Sequence, residues 1–139
     1  KDLHDNSSLS KTKWKMNSLE FVENRINEHN LSGVCNFIQG DVRETIVSFL
    51  NTDTNRYSKD NFFAKLVYID LSVYEPSKIV LNEIFKYIVP NGIIAIDQRK
   101  QGGEWRALIE YCQENDIIIQ SSPNFNDVPA YIVKKNLKK

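Results

Sequence analysis

The stretch Leu66-Val67-Tyr68-Ile69-Asp70 is a short apolar, β-branched run that leads directly into an aspartate. The same pattern recurs at Phe37-Ile38-Gln39-Gly40-Asp41 and at Ile93-Ile94-Ala95-Ile96-Asp97. Such runs are typical of buried parallel strands, and each is followed by a segment with helical periodicity. In an open α/β sheet, ligands bind outside the carboxyl ends of the strands. The three aspartates are therefore expected along one rim of the sheet, and the chemistry is expected there too.

The segments around these runs alternate between helix and strand. Helices are predicted at residues 17–30, after Asp41 and after the loop 98–103. A further helix is predicted with Pro76 in its first turn and with an apolar stripe formed by Leu81, Ile84, Phe85 and Ile88. Strands are predicted at Val34–Ile38, Phe63–Ile69 and Gly92–Ile96, followed by short strands at Ile117–Ile119 and Ala130–Val133. This order predicts an α/β fold with a mostly parallel sheet that is closed by a C-terminal antiparallel hairpin.

Length and composition predict one domain with a polar arm and a short tail. The chain has 139 residues, and 41% of them are hydrophobic. Residues 1–16 are predicted to be a polar arm, 17–134 the α/β domain and 135–139 a basic tail. The formal net charge of +0 provides no broad attraction to nucleic acid or to membranes, so neither is expected as a partner. Cys35 and Cys112 lie in apolar patterns and are expected to be buried free thiols of a cytoplasmic protein.

Three segments resemble the macrocin-type (TylF-like) sugar O-methyltransferases. The sequence Ile69-Asp70-Leu71-Ser72-Val73-Tyr74-Glu75-Pro76-Ser77 resembles their Asp-x-Asp-x-Tyr-x-(Pro/Ser)-Thr signature. The sequence Ile88-Val89-Pro90-Asn91-Gly92-Ile93-Ile94-Ala95-Ile96-Asp97-Gln98 resembles their Leu-x-Pro-Gly-Gly-x-Ile-x-x-Asp-Asp. Gly40-Asp41 followed by Thr45 resembles the glycine segment that leads to a Thr. The resemblance covers about residues 17–134.

The resemblance implies a partial Rossmann-like fold of the class I S-adenosylmethionine-dependent methyltransferases. The strand order of that fold is 3-2-1-4-5-7-6, and its first two strands have no counterpart in residues 1–139. The glycine-rich cofactor loop and the ribose-binding acid that belong to those strands have none either. The chain also begins with Lys1 and has its one methionine at Met16, as a fragment or processed product would. A missing N-terminal segment or a homo-oligomer is therefore expected to complete the sheet.

The resemblance also implies roles for residues at the rim. Gly40, Asp41 and Asp70 would bind S-adenosylmethionine, Asp70 and Ser72 would be catalytic, and Asp70, Asp97 and Gln98 would hold a metal ion, with Mg²⁺ as the candidate. Two positions depart from the family pattern. Gln98 replaces the second Asp of the Asp-Asp pair, and Ser72 replaces the acid that acts as base. Asp41 fits an adenine contact and a helix N-cap equally well.

Two functions remain open from the sequence. The first is an O-methyltransferase that acts on a sugar or a sugar-containing metabolite, with a small-molecule acceptor such as a nucleotide sugar. The alternative is a catalytically inactive or incomplete methyltransferase-like domain that serves as a binding or assembly module. The retained strand-end acids favour the first function, and Ser72 and Gln98 favour the second. Another nucleotide-binding class, such as a dehydrogenase, is disfavoured because no Gly-x-Gly-x-x-Gly occurs.

Overall fold

The computed structural model of the chain describes residues 18–51, 62–97, 101–121 and 129–135. The elements in these ranges are α1 (Leu19–Glu28), α2 (Val42–Asn51), β1 (Ala64–Ile69), α3 (Tyr74–Ile84), a 3₁₀ helix (Phe85–Tyr87), β2 (Ile88–Ile96), α4 (Gly102–Glu114), β3 (Gln120–Ser121) and β4 (Ala130–Val133). The predicted polar arm at 1–16 lies outside the described residues, as does the predicted basic tail apart from residue 135.

The strands form one mixed sheet in the order β1-β2-β4-β3. β1 and β2 are parallel, with Ile69 opposite Ile96. β4 is antiparallel to both β2 and β3, so the C-terminal strands close the sheet as predicted. This order corresponds to positions 4-5-7-6 of the strand order that the sequence resemblance implies. The prediction of a partial methyltransferase fold is thereby confirmed.

The core lies between one face of the sheet and the helices α3 and α4. Ile94 and Ile96 of β2 cluster there with Leu81 of α3, Leu108 of α4 and Ile132 of β4, and each of these side chains is at most 1% exposed. Burial of such side chains is the main favourable term in folding. The parallel pairing of β1 with β2 is therefore held by a continuous apolar layer, and the strand ends beyond it are positioned by that layer.

The predicted strand at Val34–Ile38 is wrong. The structure shows no strand at these residues, and Val34 is 78% exposed. A parallel strand is stable only when a neighbouring strand satisfies its backbone hydrogen-bonding groups. In the described residues the sheet consists of β1, β2, β4 and β3, and none of these strands pairs with 34–38. An apolar, β-branched pattern by itself does not make a strand.

Three boundaries differ from the sequence prediction. Ile88 was expected in the helical stripe, but α3 ends at Ile84 and β2 already begins at Ile88. β2 passes through Asn91-Gly92 with a shift in register against β1 rather than starting after a turn there. A Cβ at Gly92 would lie 2.8 Å from the Val89 carbonyl oxygen, so the close backbone approach requires glycine. The short strand predicted at Ile117–Ile119 lies at Gln120–Ser121 instead, because the Ile117 amide donates to the Cys112 carbonyl in the exit from α4.

The two cysteines are free thiols in different environments. Cys112 is buried as predicted, whereas Cys35 is only half-buried, so the prediction for Cys35 is wrong. Burial raises the pKa of the Cys112 thiol to about 11. In the described part of the chain, no helix has both the length and the apolar character that crossing a membrane requires.

Candidate functional site

The register of β1 and β2 brings the predicted residues Asp70 and Asp97 to one rim. Asp70 follows Ile69 at the end of β1, and Asp97 follows Ile96 at the end of β2. The Asp97 amide donates to the Ile69 carbonyl at 3.0 Å, which continues the pairing by one further bond. Both aspartates are exposed to solvent. The rim therefore presents two carboxylates at neighbouring strand ends, as the sequence predicts.

The Tyr68 side chain fixes one of these carboxylates. Its hydroxyl donates a hydrogen bond to Oδ1 of Asp97 across the two strands. This hydrogen bond, together with burial, raises the pKa of Tyr68 to about 12. Tyr68 is therefore a protonated donor at neutral pH, and Asp97 is oriented by it. Sequence reasoning did not single out Tyr68, since its pairing with Asp97 depends on the register between two strands.

Glu104, in the first turn of α4, is a second functional candidate that sequence reasoning missed. It is 0% exposed, and its carboxylate accepts hydrogen bonds from the amides of Leu71, Ser72 and Asp97. The sequence did hold a signal for its burial. Glu104 shares a helix face with Ala107, Leu108 and Tyr111 at i+3, i+4 and i+7, and all of these are buried.

Ser72 lies in a backbone conformation that side-chain-bearing residues rarely adopt. Its φ angle is +61°, in the left-handed region, which costs roughly 1–2 kcal/mol for a residue other than glycine. The hydroxyl of a serine is no general base at neutral pH. Its position in the loop after β1, half-buried beside Asp70, is nevertheless the position that the sequence resemblance implies for a site residue.

Gly40 and Asp41 form the entry into α2. Gly40 has a φ angle of +144°, and a Cβ there would lie 2.7 Å from Cγ2 of Thr45. Asp41 acts as the predicted N-cap, because its Oδ1 accepts from the Arg43 amide at 2.9 Å. The Arg43 guanidinium also donates to both carboxylate oxygens and lies 3.5 Å from Glu75 at the start of α3. These hydrogen bonds, chiefly that of the Arg43 side chain, lower the pKa of Asp41 to about 2. Arg43 thus already donates hydrogen bonds to both carboxylate oxygens of Asp41, which are the atoms that would accept from an adenine amino group. An adenine contact at Asp41 therefore requires the Arg43 side chain to rotate away.

The predicted metal ligands are only partly within the described residues. Asp70 and Asp97 are at the rim, but Gln98 lies outside the described ranges. Oδ1 of Asp97 accepts from Tyr68. Among the residues that the structure describes, no group of three or more His, Cys, Asp or Glu side chains is arranged to hold a metal ion. The described residues therefore do not form a metal site by themselves, and Mg²⁺ stays a prediction.

The chain has a partial methyltransferase fold, and solved structures that are similar to it are methyltransferases. No protein-family model matches the chain, and no curated protein sequence matches it either. The apo structure of CalS11, described as a TDP-rhamnose 3'-O-methyltransferase and an enzyme in calicheamicin biosynthesis, has 27% sequence identity and a TM-score of 0.64, covering 82% of this chain and 50% of that chain.

Two further solved structures share the fold. A second CalS11 structure, described as a calicheamicin methyltransferase, has 24% identity and a TM-score of 0.63, covering 82% of this chain and 46% of that one. The O-methyltransferase NovP has 17% identity and a TM-score of 0.65, covering 86% of this chain and 46% of that one. The chain thus spans about half the length of these structures. The predicted resemblance to sugar O-methyltransferases is confirmed by this similarity.

Proposed function

We propose that this chain belongs to an S-adenosylmethionine-dependent O-methyltransferase that acts on a sugar or a sugar-containing metabolite. One observation carries the proposal: Asp70 and Asp97 lie at the carboxyl ends of neighbouring parallel strands, where ligands of open α/β sheets bind. The similarity to CalS11, which is described as acting on TDP-rhamnose, favours a nucleotide-linked sugar as the acceptor. Cytoplasmic location remains a prediction.

Asp70 is the residue we assign to the proton of the acceptor hydroxyl. S-adenosylmethionine, when bound, would supply an electrophilic methyl group and would leave as S-adenosylhomocysteine. The acceptor oxygen must lose its proton as it is methylated, and an exposed carboxylate at the rim takes that proton as a general base. Asp97 is oriented by Tyr68, and Ser72 lacks the basicity for this task. Asp70 therefore acts as base, while Asp97 and the backbone around Ser72 shape the acceptor side of the rim.

The residues assigned to the cofactor fit it in part. Gly40 provides the tight turn before α2, and Asp41 presents a carboxylate at the first turn of that helix. In the arrangement described here, Arg43 engages that carboxylate. Binding of the adenine amino group to Asp41 is thus proposed only together with a rotation of Arg43. No step is assigned to Mg²⁺, because the described residues lack a complete ligand group for it.

A specific observation also favours the alternative, a methyltransferase-like binding or assembly module. Within the described residues, β1 pairs with β2 on one side only. Two of its side chains, Leu66 and Tyr68, are 63% and 53% exposed. An unpaired strand edge beside exposed apolar groups is a template for pairing with another chain.

The test is methyl transfer by the native protein. A tag on this chain allows it to be isolated from its source together with any associated segment or partner, and the sample is incubated with methyl-labelled S-adenosylmethionine and TDP-rhamnose. We expect a methylated sugar product, and we expect Asp70→Asn to lower the rate by about 10²- to 10⁴-fold, the range that general bases contribute. Asp116→Asn, an exposed carboxylate just beyond α4, is the control and should leave the rate unchanged. Activity that survives EDTA would remove Mg²⁺ from the proposal.

The outcome that contradicts the proposal is equally defined. If the isolated protein transfers no methyl group to nucleotide sugars and binds no S-adenosylhomocysteine, the binding or assembly function is favoured. If transfer occurs and Asp70→Asn leaves it unchanged, the enzyme assignment stands and the assignment of Asp70 as base is wrong.

A further inference from the structure

Glu104 connects the loop after β1 to the end of β2 through a single buried carboxylate. Its Oε2 accepts from the Leu71 amide at 2.6 Å and from the Ser72 amide at 3.0 Å, both in the loop after β1. Its Oε1 accepts from the Asp97 amide at 3.0 Å, directly after β2. The side chain is 0% exposed, although α4 belongs to neither loop. One side chain therefore holds the backbone on both sides of the candidate site.

Only a carboxylate suits this position. Each of its oxygens accepts from a different loop, and an ionised carboxylate is an acceptor at both oxygens. A glutamine has one acceptor oxygen and would direct its NH₂ group at the amide of the other loop. Burial of a charge without compensating hydrogen bonds is costly, but here three amides donate to it, and the first turn of a helix favours an anion. The geometry thus explains why a charged side chain stands in the buried face of α4.

The hydrogen bonds of Glu104 are made by backbone amides that lie directly after the ends of β1 and β2. The Asp97 amide is shared between Glu104 and the Ile69 carbonyl, the last pairing of β1 with β2. Leu71 and Ser72 lie beyond that pairing, and Ser72 is in the left-handed conformation. Their amides are aimed at Glu104 rather than at a neighbouring strand.

We propose that Glu104 is a positioning residue, which sets the loop after β1 relative to Asp97 at the end of β2 and thereby the placement of Asp70 and Ser72 against Asp97. Glu104 does not contact the acceptor in this role, since it lies beneath the rim. The catalytic consequence rests on the proposed methyltransferase function, whereas the positioning of the loops does not.

The first test measures rim geometry in the folded chain. Amide residual dipolar couplings of Asp70, Leu71, Ser72 and Asp97 are compared between the wild type and Glu104→Gln, under conditions where circular dichroism shows both to be folded. We expect these couplings to change while those of the buried residues of β1 and β2 do not. The matched control is Glu110→Gln, which removes a carboxylate from the same helix. The Glu110 carboxylate accepts hydrogen bonds from the side chains of Tyr74, Lys78 and Arg106, so its removal should leave the rim couplings unchanged.

A purely structural role predicts a different result. If Glu104→Gln lowers the Tm but leaves the rim couplings within error of the wild type, the proposal is overturned. Glu104→Asp, which keeps the charge but is one methylene shorter, is the second variant and should also displace one loop. Should neither variant fold, hydrogen exchange in the wild type decides. The amides of Leu71, Ser72 and Asp97 should be as protected as those of the sheet, and unprotected exchange would refute the proposal.

The second test measures catalysis in the isolated native protein. Misplacement of a reacting group by 1 Å can cost about 10²-fold in rate. We therefore expect Glu104→Gln to lower kcat by on the order of 10²-fold with KM for the sugar changed far less. If Glu104→Gln changes the residual dipolar couplings of the rim amides but not kcat, Glu104 still positions the loop, and its proposed effect on catalysis is wrong. Absence of methyl transfer in the wild type would reject the proposed function and leave the loop assignment to the first test.

Discussion

At the scale of single residues, two positions explain how local chemistry shapes the rim. Gly40 allows a backbone conformation that precedes α2, and Tyr68 holds the carboxylate of Asp97. The role of glycine is readable from its place in a Gly-Asp-x-x-x-Thr segment. The role of Tyr68 is not, because a tyrosine in a strand is also an ordinary β-former.

Gly40→Ala should destabilise the protein by roughly 1–3 kcal/mol, since a φ angle of +144° is strained for any residue with a Cβ and Thr45 leaves no space for one. Denaturant unfolding gives the free energy of unfolding. The matched control is Gly33→Ala, because a Cβ at Gly33 would meet nothing within 4 Å and its φ angle is not in the left-handed region. That variant should be neutral or more stable by about 0.4–1 kcal/mol. An equal decrease in the free energy of unfolding in both variants would contradict the interpretation of Gly40.

Tyr68 should titrate with a pKa of about 12, and Asp97→Asn should bring that pKa down toward the ordinary value near 10. Since the pKa is higher in the folded state, the associated stabilisation is present below pH ~10 and is lost as the pH rises through about 12. The measurement is the pH dependence of the Tyr ring carbon resonances. Tyr111 is the internal control: burial raises its pKa to about 12, and Asp97→Asn should not change it. An unaltered Tyr68 midpoint in that variant would reject the hydrogen bond.

At the scale of elements, helix starts connect the candidate site to the rest of the fold. Asp41 caps α2, Glu104 stands in the first turn of α4, and Arg43 reaches from α2 to Glu75 in the first turn of α3. Anionic groups at helix N-termini are favoured by the helix dipole. Candidate residues therefore lie at the starts of helices as well as at the ends of strands.

Arg43→Gln should raise the pKa of the Asp41 carboxyl from about 2 toward its ordinary value of 3.8, because the Arg43 side chain is the main cause of the low value. The stabilisation linked to Asp41 is present above pH ~4 and is lost as the pH falls through about 2. Carboxyl carbon chemical shifts report this titration directly. Arg25→Gln removes another exposed guanidinium, which pairs with Glu28, and should leave Asp41 unchanged. A low Asp41 pKa that persists without Arg43 would assign the effect to the helix start.

At the scale of the whole molecule, β1 is an edge strand of the sheet in the described residues. β1 has β2 on one edge, and the face of β1 that carries Leu66 and Tyr68 is exposed. The aligned part of this chain covers 50% of the CalS11 chain and 46% of the NovP chain. Completion of the sheet by another segment or another copy therefore remains our prediction.

The 139-residue chain by itself should bind no S-adenosylhomocysteine in a calorimetric titration. In the described residues no strand lies beside β1 on its outer edge, and Arg43 already donates hydrogen bonds to the Asp41 carboxylate. The native protein, isolated with any associated segment, serves as the positive control. Micromolar binding by the chain alone would show that its own residues complete the cofactor site.

Leu66→Lys should reduce self-association of the chain in sedimentation velocity experiments, because a charge on an exposed strand face opposes pairing with a second copy. Ile118→Lys is the matched control, since Ile118 is 65% exposed against 63% for Leu66 but lies beside β3 at the opposite edge of the sheet. If the wild-type chain is monomeric, association through β1 is contradicted. It is also contradicted if Leu66→Lys and Ile118→Lys reduce self-association equally.

The local sequence pattern was sufficient to predict part of this structure. The cores of β1, β2 and β4, the helices that follow β1 and β2, and the aspartates at the ends of β1 and β2 are predictable, because strand and helix periodicities are properties of neighbouring residues. Parallel pairing then places Asp70 beside Asp97 without further information. The failed strand at Val34–Ile38 shows the limit, since a strand exists only where a partner strand pairs with it.

Long-range packing was needed for the rest. Glu104 follows Ser72 by 32 residues along the chain, and Tyr68 precedes Asp97 by 29, yet each pair is joined by a hydrogen bond. Periodicity places Glu104 on the buried face of α4 but does not reveal which amides it meets there. Contacts between distant segments depend on strand register and on how α4 lies against the strand ends, and neither is a property of neighbouring residues. The aspartates of the rim can therefore be predicted from the sequence, while the side chains that position them can be identified only from the tertiary structure.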